Sequence, residues 1–116
     1  MVSRKAVAPD QGDLVWLEHD PQTGHEQAGR RPALVLSPRA YNAATGLMLC
    51  CPVTQQVKGY PFEVKLIGVK GVQGVILSDQ VRSLDWEARS AERAGRAADD
   101  VLADVVAKLK VLLPTR

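Results

Sequence analysis

The sequence has little of what metal and thiol chemistry is built from: two histidines and two cysteines in 116 residues. The cysteines, Cys50 and Cys51, are adjacent inside an apolar run, where an extended backbone would point them to opposite faces, so neither a disulfide nor a zinc site is expected. No metal-ligand spacing occurs elsewhere, and no cofactor is expected. Aromatic residues make up only 4% of the chain. Long apolar runs are also missing: the longest uncharged stretch, Ala40 to Val57, is interrupted by Asn42, Thr45, Gly46 and Pro52, which excludes a membrane-spanning helix. The basic N-terminus Met1-Val2-Ser3-Arg4-Lys5 leads into Pro9, Asp10 and Asp13 in place of an apolar segment, so no signal peptide is read and the expected compartment is the cytoplasm. Fifteen basic residues against thirteen acidic ones leave a formal net charge of +2. That balance is compatible with a polyanionic partner without demanding one. There is no internal repeat and no low-complexity linker, and the length suits a single domain over 1–116 with no room for a separate substrate domain.

What is present is a series of short apolar runs punctuated by Gly, Pro and Asn: Leu14–Leu17, Ala33–Leu36, Leu47–Val53, Phe62–Leu66, and Val75–Leu77 continuing toward Val81. Such spacing predicts strands in a small sheet or barrel. Phe62-Glu63-Val64-Lys65-Leu66 alternates most clearly, placing Phe62, Val64 and Leu66 on one face. Further along the period changes. Val101, Leu102, Val105, Val106, Leu109, Leu112 and Leu113 recur at helical spacing, with Asp99 and Asp100 before them, Lys108 and Lys110 late, and Pro114 as a stop. These features predict an amphipathic helix. The expected fold is mainly β with α, a small curled sheet or barrel closed by that helix.

Between the first two runs lies the polar segment His19 to Pro32, which holds both histidines together with Glu26, Arg30 and Arg31. A solvated hairpin loop would account for such a composition, and so would a site for phosphodiester chemistry. That chemistry needs a base for the ribose 2′-hydroxyl, a cation for the phosphorane and an acid for the departing 5′-oxygen. Glu26 and Arg31 supply the first two types. On titration range alone, His19 and His25 are equally natural as acid and base. Attack by the substrate's own 2′-hydroxyl would need neither a metal nor an enzyme nucleophile and would leave a 2′,3′-cyclic phosphate and a 5′-hydroxyl.

The runs Gly12-Asp13-Leu14-Val15-Trp16 and Gly24-His25-Glu26-Gln27-Ala28-Gly29-Arg30-Arg31-Pro32-Ala33-Leu34-Val35-Leu36-Ser37, followed by Lys58-Gly59-Tyr60-Pro61-Phe62-Glu63-Val64 and Asp79-Gln80-Val81-Arg82-Ser83, resemble the MazF/PemK toxin family from about Val2 to Leu113. The resemblance implies an SH3-like barrel, a homodimer, ribosome-independent cleavage of single-stranded RNA, ACA-containing sites in the branch most resembled, and inhibition by the acidic segment of a MazE-type antitoxin. It carries a catalytic acidic residue onto Glu26, an arginine onto Arg31 and a threonine onto Thr54. His25 stands where serine is usual in that family and His19 where an aromatic residue is usual, so neither inherits a role. Arginine stays protonated and is a poor proton donor, which makes Arg31 chiefly a phosphorane stabiliser.

Splayed bases would be held by polar loop atoms and stacked on aromatic or guanidinium planes. Trp16, Gln27, Arg30, Lys58, Tyr60, Arg82 and Arg89 are the candidates, with Arg82 and Arg89 suited to phosphates. A rival reading is a gyrase-poisoning toxin of the CcdB kind. That class is expected to end in Trp-Gly-Ile, whereas this chain ends Val111-Leu112-Leu113-Pro114-Thr115-Arg116.

Overall fold

The computed structural model describes residues 7–18 and 29–115. Seven strands are present: β1 (Asp13–Glu18), β2 (Arg30–Val35), β3 (Leu47–Thr54), β4 (Glu63–Leu66), β5 (Gly74–Leu77), β6 (Arg82–Asp85) and β7 (Glu92–Arg96). Two helices accompany them, α1 (Arg39–Thr45) between β2 and β3, and α2 (Asp99–Val111) after β7. All pairings are antiparallel, in the order β4-β5-β3-β2-β1-β7, with β6 also on β3. β3 is the hinge of the sheet. Along one edge its first half, Leu47–Cys50, pairs β6 and its end, Val53–Thr54, pairs β5. Pro52 sits where the partner changes and has no N–H to give to either. The sheet therefore curls into a half-barrel, the expected small barrel class, with α2 packed against it.

The curl buries both faces of the central strands where they meet, which explains the apolar run Cys50–Val53 in β3, whereas Leu47 and Leu49 at its start stay exposed on one face. One core joins Leu14, Leu34, Cys51, Val53, Val64 and Ile76 to Val101 and Val105 of α2. The other gathers Val15, Leu17, Ala33, Val35, Met48, Cys50 and Trp86. Neighbours in sequence alternate between the two cores, as a two-residue period requires. Cys50 and Cys51 thus lie on opposite faces as free thiols. Burial pushes them up to about 11 and about 12 respectively, so both stay protonated at neutral pH.

Several boundaries differ from the sequence-based expectations. β2 starts at Arg30, three residues before the apolar run, because Arg30, Arg31 and Pro32 pair with Glu18, Leu17 and Trp16. The strand expected to run toward Val81 stops at Leu77, where Gln80 N–H closes a turn onto the Leu77 carbonyl; β6 follows. The last apolar residues of the helical stripe, Val111, Leu112 and Leu113, are exposed, and α2 ends at Val111. No helix among the described residues is long and apolar enough to cross a membrane.

A fully buried asparagine fixes α1. Asn42 donates to the carbonyls of Pro9 and Ser37 at 2.8 and 3.0 Å and accepts from the Ser37 hydroxyl at 2.6 Å. Its own carbonyl takes the Trp86 indole N–H at 2.8 Å. Gly46 then ends the helix with φ 77°, a left-handed conformation that glycine adopts without strain. Asp13 is likewise structural: its buried carboxylate accepts the Asp10 N–H at 2.9 Å and faces Arg93 and Arg96 at 3.3 and 3.5 Å.

Candidate active site

β2 and β3 pair from Val35–Cys50 to Ala33–Pro52, and there the ladder ends. Pro32 and Pro52 have no N–H to continue it, so the strands part beyond them. Two residues beyond the last pair stand Arg31 on β2 and Thr54 on β3. The opening between the strand ends is a recess of about 630 Å³ lined by both residues together with Trp16, Arg30, Pro32, Pro52 and Gln73. Among the described residues the Arg31 guanidinium has no hydrogen-bond or ion-pair partner. The Thr54 hydroxyl accepts the Gln56 N–H at 3.1 Å, which leaves its proton available to a ligand oxygen. An anionic ligand in this recess would meet a cation and a hydroxyl held by strand ends, a more rigid mounting than a loop.

Arg31, Pro32 and Pro52 also line a second recess, of about 420 Å³, with Glu18, Cys50, Arg82 and Arg89 around it and Leu17, Ala33 and Leu84 on its apolar floor. Three guanidinium groups thus surround one opening. Arg89 is placed by its backbone: its carbonyl takes the Glu18 N–H at 2.9 Å, and its own N–H donates to Asp85 at 3.1 Å. A third and smaller recess, about 100 Å³, shares Thr54, Gln56, Leu77 and Gln80 with the first and adds Lys58, Tyr60 and Glu63. Glu63 organises this end by accepting the N–H groups of Lys58 and Gly59, both at 2.9 Å. The Tyr60 hydroxyl donates to Asp79 at 3.1 Å, and its pKa is raised, first by burial and then by that bond. Arg31, Pro32 and Pro52 border both the first and the second recess, and Thr54, Gln56, Leu77 and Gln80 border both the first and the third, so the three adjoin as basins of one broken trough with Arg31 at one divide and Thr54 at the other.

The trough brings together Arg31, Thr54, Trp16, Arg30, Lys58, Tyr60, Arg82 and Arg89 of the residues singled out from sequence. Glu26 and Gln27, like His19 and His25, lie outside the described residues. Arg30 is committed to its own chain, with contacts to Glu92 at 2.9 Å and to the Ser90 and Trp16 carbonyls at 2.7 and 3.3 Å. Trp16 is divided between roles: it packs against the α2 core and also lines the central recess. Sequence reasoning passed over Gln55, Gln56, Gln73 and Gln80, which line that recess from three separate segments. Their clustering is non-local, and the only hint in the sequence is the glycine pair Gly71 and Gly74 flanking Gln73. Among the described residues no group of three or more His, Cys, Asp or Glu side chains is placed to hold a metal.

Comparison with known proteins agrees with this architecture. Residues 10–113 match the family model described as PemK-like, MazF-like toxin of type II toxin-antitoxin system. The chain is 53% identical over 113 residues to the endoribonuclease toxin MazF of Escherichia coli K12, covering 97% of this chain and 99% of that one. The crystal structure of MazF from Deinococcus radiodurans superposes with a TM-score of 0.81 at 62% identity, over 91% of this chain and 96% of that one. A MazE-MazF complex from the same organism superposes with a TM-score of 0.80 at 57% identity, over 91% and 95%. The strand-end recess, the half-barrel around it and these near full-length matches place the chain in the PemK-like, MazF-like toxin family of type II toxin-antitoxin systems.

Proposed function

We propose that the protein is a sequence-specific endoribonuclease that cuts single-stranded RNA, without ribosome or metal, through the RNA's own 2′-hydroxyl. The observation that carries this reading is the Arg31–Thr54 pair at the parting ends of β2 and β3. In the proposed reaction Glu26 accepts the 2′-hydroxyl proton and O2′ attacks phosphorus. Arg31 and the Thr54 hydroxyl stabilise the charge on the nonbridging oxygens, and the P–O5′ bond then breaks. The departing 5′-oxygen takes up a proton, from water or from an imidazole, His19 or His25. The products are a 2′,3′-cyclic phosphate and a 5′-hydroxyl. Phosphates on either side of the cut lie along Arg82 and Arg89 and along Lys58, and Gln27, Trp16, Arg30 and Tyr60 complete the RNA surface. Cleavage falls at ACA-containing sites.

The same charge governs regulation. Three arginines around one recess attract carboxylates as well as phosphates, so the acidic segment of a MazE-type antitoxin occupies the trough and excludes RNA; the solved MazE-MazF complex of the D. radiodurans relative supports that partner. Leu47 and Leu49 are 37% and 40% exposed on one face of β3, a patch that a second copy covers in a homodimer. The site of action is the cytoplasm, where messenger RNA is found. The test is to incubate the protein with a long unstructured RNA in EDTA and map the new 5′ ends. One recurring motif bearing 5′-hydroxyl groups supports the reading, and no cleavage or random cleavage overturns it.

A further inference from the structure

The central recess contains more amides than phosphate binding explains. Gln55 and Gln56 follow β3, Gln73 precedes β5 and Gln80 follows it, and all four line the opening that holds Arg31 and Thr54. A carboxamide is neutral and offers two N–H donors and one carbonyl acceptor. It adds nothing to the neutralisation of phosphate charge, but it matches the edge of a nucleobase, above all adenine, which presents an acceptor beside an amino donor. Among the described residues the side chains of Gln55, Gln56 and Gln73 make no hydrogen bond to the protein, in contrast to Asn42, whose amide is fully engaged in the core. Two of the four are also held close to the reacting groups by their backbone. Gln56 N–H is bonded to the Thr54 hydroxyl, and Gln73 immediately precedes Gly74, whose backbone runs against the Thr54 carbonyl.

We infer that Gln56 and Gln73 are specificity-determining residues, whose side-chain amides read the edge of an adenine next to the scissile phosphate. The inference rests on the ribonuclease reading of the same site. It divides the trough chemically: the scissile phosphate sits at Arg31 and Thr54, a neighbouring phosphate lies along Arg82 and Arg89, and the amides of the central recess take the base beside the cut. A single-stranded substrate can present that edge because its bases are unpaired.

The test is single-turnover cleavage of a set of short RNAs that carry the mapped site and differ only in the nucleotides flanking the cut. Gln56→Leu and Gln73→Leu keep the size of the side chain and remove its hydrogen bonds, and Gln56→Ala and Gln73→Ala serve as second variants; circular dichroism checks that each is folded. The expected result is a loss of about tenfold or more in the preference for adenine at one flanking position, with a smaller effect on RNAs carrying another base there. An equal fall in rate for every RNA, or an unchanged preference, overturns the inference and leaves the ribonuclease reading intact. Cleavage by the unaltered protein with no preference for adenine at either flanking position does the same. Failure of the unaltered protein to cut any RNA overturns the ribonuclease reading and this inference with it.

Discussion

Gly74, at the start of β5, lies so close to Thr54 that a Cβ atom at position 74 would overlap the Thr54 carbonyl group. Its φ of 125° is a backbone conformation that side-chain-bearing residues rarely adopt. The close approach positions the end of β3, and with it the hydroxyl proposed to contact the phosphorane. Gly74→Ala is therefore expected to lower the cleavage rate by on the order of tenfold or more, since small displacements of a positioned group are costly. Melting should also move downward. Wild-type kinetics in this variant would show that Thr54 need not be held where it is.

Arg31 and Glu26 carry the chemistry in the proposed reaction, and Arg31 is exposed. Arg31→Ala and Glu26→Ala are each expected to reduce the cleavage rate by on the order of a hundredfold or more while the protein stays folded. The comparison with His25→Ala is informative. If that change abolishes cleavage while Glu26→Ala cuts normally, the imidazole is the base.

Asn42 supports a different kind of prediction, because its amide is buried and bonded to two carbonyls and a hydroxyl. Asn42→Leu leaves the Pro9 and Ser37 carbonyls without their side-chain donor and the Ser37 hydroxyl proton without its acceptor, so a loss of about 2 kcal/mol or more is expected. Thermal melting would show it as a drop of several degrees. A melting temperature equal to that of the unaltered protein would mean that α1 repacks around the leucine.

How much of this was legible in the sequence depended on burial. Val64 and Leu66 alternate with Glu63 and Lys65 because only one face of β4 meets the core, and α2 showed its period through Val101 and Val105. β6 and β7 are largely exposed and carry polar side chains on both faces, so no apolar rhythm announced them. α1, at seven residues, is too short for a helical period, and its one buried side chain is polar. Arg31 was singled out by the chemistry of its polar segment, and Thr54 through the family resemblance. Their proximity follows from the β2–β3 register, which joins Ala33 to Pro52, and a pairing of such range is not written in either segment. The amide cluster was hidden for the same reason.

The antitoxin proposal predicts competition. A peptide of the acidic MazE-type segment should displace RNA from the trough, and the apparent affinity of both ligands should fall as salt rises. Fluorescence anisotropy of a labelled RNA, titrated with peptide at several salt concentrations, measures this. Simultaneous and mutually indifferent binding would contradict a shared site.

The most direct measurement of the proposed chemistry uses one RNA carrying a single 2′-deoxy nucleotide immediately 5′ to the mapped cut, incubated with the protein in EDTA beside the all-ribose RNA. If O2′ is the nucleophile, the all-ribose strand is cut to a 5′-hydroxyl end and the substituted strand stays intact at that position. Efficient cutting of the 2′-deoxy strand, or a requirement for added divalent metal, would contradict cleavage by the RNA's own hydroxyl at the Arg31–Thr54 site.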